Sequence, residues 1–152
     1  MRKIILLLAV LMSGCVVDDN HGYGYGIDGV TSLGIEYRGS TLSPFQIDDE
    51  FKNVYQCITE QWREPLNTDF NGYAFYIDLM VFFVNQVQDT DSEGRFYNDT
   101  NLVLVVDQNS PYHNDYSVYV YRHELVHYIL SELTNDVNFY HQSSFFYSCV
   151  YF

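Results

Sequence analysis

Residues 121 to 130, YRHELVHYIL, place two histidines four positions apart with a glutamate directly after the first. On a helix His123 and His127 lie one turn apart and about 40° from each other, so both imidazoles reach one ion from the same face. Glu124, rotated by about 100° from His123, stays off the metal in this geometry and can address a water at the remaining coordination position. There it would act as general base and then carry the proton to a leaving amine. For a chain with five His, composition alone gives roughly a one per cent chance of an HExxH anywhere. Context lowers that chance, because Leu125, Val126, Ile129 and Leu130 form the apolar side that a core-anchored helix needs.

The elements that would position this helix follow from periodicity. In FQIDDEFKNVYQCITEQW, residues 45 to 62, Phe51, Val54, Tyr55, Ile58 and Trp62 recur at helical spacing, with Asp48, Asp49 and Glu50 expected near the positive end of the helix dipole. Before it, GIEYRGS (34–40) alternates as a short strand does. After it, GYAFYIDLMVFFV (72–84) and NLVLVVD (101–107) have the β-branched and aromatic composition of buried strands. DTDSEGRFYNDT (89–100) reads as a polar turn, and the segment 116–133 as the helix carrying the motif, with Asn135 as its stop. The order strand, helix, strand, strand, helix, tail predicts an α+β fold in which the motif helix packs beside a mixed sheet.

At 152 residues and 47% apolar composition, the chain suits one domain with an adequate core. Its start joins Arg2 and Lys3 to an apolar run from Ile4 to Met12 and then small residues before Cys15, the layout of a signal peptide and too short for a membrane-spanning helix. LMSGC resembles the lipobox of bacterial lipoproteins. The resemblance implies cleavage after residue 14, a lipid on Cys15, attachment to a membrane and residence in the cell envelope. With Cys15 acylated, Cys57 and Cys149 remain as one pair in an oxidising compartment. Residues 15–33 are Gly-rich, without amphipathic period, and predict a flexible tether; the folded domain is expected over 34–152. Loss of Arg2 and Lys3 leaves five basic residues against twenty acidic ones, a formal charge of −15, which disfavours nucleic acid as a partner.

The segment 102–149 resembles the active-site region of zincin-type metallopeptidases, with His123, Glu124 and His127 matching their motif residue by residue. The resemblance implies a zinc cofactor, a peptide or protein substrate and hydrolysis with Glu124 as the catalytic base. It departs from the metzincin pattern, since Leu130 and Leu133 stand where that group has Gly and its third His. It departs from the gluzincins too, because Glu132 is the last Glu and lies about 180° from the metal face. Two downstream candidates for a third ligand remain, His141 and Asp136. His141 is preferred because imidazole is common in zinc sites. The tail also resembles those of small exported HELVH proteins, in which a His, an aromatic residue and a Cys follow the helix. A Cys57–Cys149 bond would tie the segment bearing His141 to the first helix. His21 and His113 are read as bystanders, Asp136 and Asn138 as possible acceptors for the ligands' outer N–H groups, and Tyr128, Tyr140 and Tyr147 as possible oxyanion donors. A second reading is an envelope lipoprotein of the same shape that binds a partner and hydrolyses nothing.

Overall fold

The computed structural model describes residues 26–62, 77–87, 92–107, 117–134, 141 and 143–152. The first 25 residues, with Cys15, and also His113, Asp136, Asn138 and Tyr140 lie outside them.

The fold is α+β. A five-stranded sheet runs in the order β1-β2-β3-β5-β4, built from β1 (Gly29–Val30), β2 (Glu36–Arg38), β3 (Met80–Val84), β4 (Gly94–Tyr97) and β5 (Leu102–Val106). The three inner strands are parallel, and the two edges, β1 and β4, are antiparallel to their neighbours. Parallel β2 and β3 require a crossover, and α1 (Pro44–Gln61) supplies it. Ser43 caps α1 by accepting from the Gln46 N–H at 3.3 Å while the Gln46 side chain accepts from the Ser43 N–H at 2.9 Å; Pro44 pre-sets the first turn.

Apolar residues spaced four, three and four apart, Ile47, Phe51, Val54 and Ile58, bury the inner face of α1. They meet Leu125, Val126, Ile129 and Leu130 of α2 (Ser117–Thr134) and one face of the sheet through Val81, Phe83, Val103 and Val105. Phe82, Leu104 and Val106 point to the opposite face and form a second cluster with Val87. Every residue of β5 is buried, as a central strand covered on both faces requires.

Three features depart from the sequence reading. The packed domain reaches back to Asp28, six residues before the expected start at Gly34: the Asp28 N–H donates to the Tyr37 carbonyl at 2.8 Å, and β1 pairs with β2. A two-residue strand in a Gly-rich stretch has no period to reveal it. The acidic trio lies beyond the first turn of α1, which starts at Pro44, and Asp48 is buried, accepting from the Ser32 hydroxyl at 2.5 Å and the Leu33 N–H at 3.3 Å. It therefore clamps the chain before β2 onto α1 rather than acting on the helix dipole. Finally, the stretch read as a turn over 89–100 contains β4, and the tail contains a short helix, α3 (Phe145–Ser148). The turn into β5 puts Asn101 at φ 49°, a left-handed conformation that Asn tolerates.

Candidate metal centre

Helix α2 is held between α1 and the sheet by its apolar positions, and Tyr121 is buried with its hydroxyl donating to the Ile47 carbonyl at 3.4 Å. That orientation leaves His123 and His127 half-buried at the rim, on one face as their spacing requires. The tail returns to meet them. His141 Nε2 lies 3.1 Å from His123 Nε2 and 3.1 Å from His127 Nε2, and the three ligand atoms all fall within 4.8 Å of one another.

Three nitrogens bound to one tetrahedral zinc at 2.0–2.1 Å would be about 3.3 Å apart. The observed spacing is close to that value. Hydrogen bonding satisfies the trio less well, since a single N–H on His141 Nε2 cannot point at both partners. The three histidines can hold a metal ion. Phe146, buried on α3, backs the cluster, with its ring 5.0, 4.5 and 5.1 Å from those of His123, His127 and His141. The expected pairing of Cys57 with Cys149 is present, with Cα atoms 5.7 Å apart, and it fastens α3 to α1.

Glu124 lines the same cavity and lies against β4. Only 6% exposed, its carboxylate receives the Phe96 N–H. Burial pushes its pKa up to about 8, against the downward pull of that N–H and of the Arg95 guanidinium. Burial, with the neighbouring rings, lowers His123 and His127 to about 4, so both stay neutral and able to ligate well below pH 6.5.

These shifts act on the metal-free fold in opposite directions. Between pH 4.5 and 8 the folded chain keeps a proton on Glu124 that the unfolded chain releases, so stability falls as pH rises through that window. Between pH 6.5 and 4 the unfolded chain takes up protons that His123 and His127 refuse, so stability falls as pH drops. Calorimetry of the metal-free protein should show both flanks, and Glu124→Gln should remove the alkaline one alone. An unchanged alkaline flank in that variant would assign it to another group.

Gly94 explains how β4 approaches so closely. A Cβ there would sit 2.8 Å from Glu124 Oε1 and 2.5 Å from Val120 Cγ1. Gly94→Ala should displace the carboxylate and lower any turnover at least tenfold while the three imidazoles still bind metal, measured as activity against metal content. Full activity in that variant would show that the edge strand yields without cost.

A cavity of roughly 660 Å³ opens over His123, Glu124, His127 and His141, bounded by β4 and by Tyr119 and Tyr151. Sequence reasoning found the three histidines and Glu124 but missed Gly94, Arg95, Phe96 and the two tyrosines. No pattern marks Gly94 or Phe96, which lie in a stretch read as a turn. Of the tyrosines proposed as oxyanion donors, Tyr128 is buried and hydrogen-bonded to the Asp78 backbone, and Tyr147 lies outside the cavity lining. Comparisons with family models, with curated proteins and with solved structures find no match.

Proposed function

We propose that the protein is a zinc-dependent peptidase, anchored by a lipid on Cys15 in the bacterial cell envelope. The observation that carries the enzymatic part is that His123, His127 and His141 come close enough together to share one ion, in a cavity that the buried carboxyl of Glu124 also lines. A zinc ion in that position would supply Lewis acidity, acidifying a water and polarising the scissile carbonyl.

The chain's own residues do the rest. His123, His127 and His141 hold the ion. Glu124 takes a proton from the attacking water and passes it to the departing amine, oriented for this by the Phe96 N–H. Among the described residues β4 is an edge strand, so an extended peptide could lie along it as a further strand, with its carbonyl presented to the site. The LMSGC layout supports the anchor, and the Cys57–Cys149 bond accords with an oxidising compartment outside the cytoplasm.

A second reading, a binding lipoprotein with no turnover, draws on the exposed aromatic residues Tyr147, Tyr151 and Phe152, a composition typical of interfaces. Metal analysis of protein purified without chelator tests the first reading. About one zinc per chain is expected; no bound zinc, and none taken up on titration, would overturn it. Stoichiometric zinc without cleavage of any peptide favours the second.

A further inference from the structure

The cleft has one wall that the hydrolytic chemistry does not use. Tyr119 precedes His123 by four residues, one helical turn, and so lies on the same face of α2. Its ring is 5.7 Å from that of Tyr151, tilted by 34°, and Tyr151 lies 6.1 Å from Tyr147. Tyr119 and Tyr151 both line the cavity that contains the three imidazoles and Glu124. Tyr151 is 60% exposed and Tyr147 79%, although rings of this size commonly pack inward.

What keeps them standing is Arg122, next to the first ligand. Its Nη1 donates to the carbonyls of Val150 and Phe152 at 3.2 and 3.4 Å, one on each side of Tyr151. Its Nε donates to Glu50 of α1 at 2.5 Å, and its guanidinium lies 4.2 Å over the Phe152 ring and 5.6 Å over that of Tyr119. Cys149, in the disulfide, fixes the chain just before. Residues 149–152 are thus fastened on several sides, and the Tyr151 ring is held at the cleft before any ligand arrives, which lowers the ordering cost of binding.

We infer that Tyr119 and Tyr151, with Arg122 as the residue that positions them, form a subsite for a large aromatic side chain of a peptide substrate beside the scissile bond. This inference rests on the peptidase reading. The exposed Tyr151 ring, tilted against half-buried Tyr119 at the cavity wall, suits a third ring through offset or edge-to-face contact in addition to apolar burial. Arg122, the cation of this wall, is already paired with Glu50 and with two backbone oxygens, and the strongly acidic chain disfavours an acidic side chain. A small side chain would leave the Tyr151 ring wet.

The test is binding rather than turnover. Full-length Glu124→Gln protein, supplied with zinc, is titrated with a series of blocked hexapeptides in which one position is Phe, Leu, Ala or Glu. The Phe peptide should bind about tenfold more tightly than the Ala peptide. Adding Tyr151→Ala should shrink that ratio to below about twofold with zinc content unchanged, and Tyr151→Phe should restore it. Arg122→Met should reduce the ratio without touching a ligand or a ring of the pair. Equal affinities for Phe and Ala peptides, or a preference that survives Tyr151→Ala, would overturn the subsite. So would Tyr151-dependent binding of a chito-oligosaccharide with no peptide binding, since sugar faces also stack on tyrosine. Phe-selective binding without cleavage by the unsubstituted protein would remove the peptidase reading and leave the subsite. Cleavage without aromatic preference would do the reverse.

Discussion

Glu124→Gln should retain zinc and lose about 10²- to 10⁴-fold in kcat, the usual range for removing a positioned general base. The amide is nearly isosteric and keeps an oxygen to accept the Phe96 N–H, so the position next to Gly94 stays filled as before. Metal retention follows because Glu124 is not one of the three converging ligands. The pH profile supplies an independent readout. Burial raises the carboxyl to about 8 in the metal-free protein, and a nearby cation pulls it down again; activity should rise with pH through the resulting value as the carboxylate forms. The variant should have no such limb. Wild-type kcat in Glu124→Gln, with stoichiometric zinc, would remove this residue from the chemistry.

Cys57→Ser should cost about 4–5 kcal/mol of stability, from the chain-entropy estimate for a crosslink across 92 residues. It should also weaken zinc binding, although neither cysteine belongs to the histidine trio. Cys149 anchors α3, which places Phe146 behind all three imidazoles, and His141 enters the site on the same stretch of chain. Without the crosslink the third ligand must be ordered at the moment of binding, so part of the metal's affinity is spent on closing the tail. Thermal unfolding with and without zinc, together with competition against a chromogenic chelator, measures both effects. Cys149→Ser should behave alike. An unchanged Tm and zinc affinity would make the bond incidental.

The motif helix and the first helix were legible because long amphipathic elements repeat their apolar positions, and HELVH sits on such an element. His141 was legible only as a donor at a plausible distance in sequence; that its ring meets the other two depends on the turn-back of the tail and on Phe146. The edge strand was not legible. Gly94–Tyr97 turns Gly94 and Phe96 toward α2, so it carries one large apolar residue on its inner face and no alternating pattern. Gly94 matters for what it lacks, a Cβ against Glu124, and a sequence records that only as one glycine among nine. The work of Arg122 was equally hidden, because its partners, Glu50 and residues 150–152, come from opposite ends of the domain.

The sheet order also governs how the molecule would present itself to its surroundings. The described chain enters at β1, on one rim, and the cavity lined by the three histidines and Glu124 opens beside β4, on the other, four strand spacings or about 19 Å across. The proposed lipid attachment upstream of Gly26 would therefore join the domain at the edge remote from the cavity. With the attachment proposed at Cys15, polypeptides in the surrounding fluid would reach that side of the sheet without first passing the attached edge.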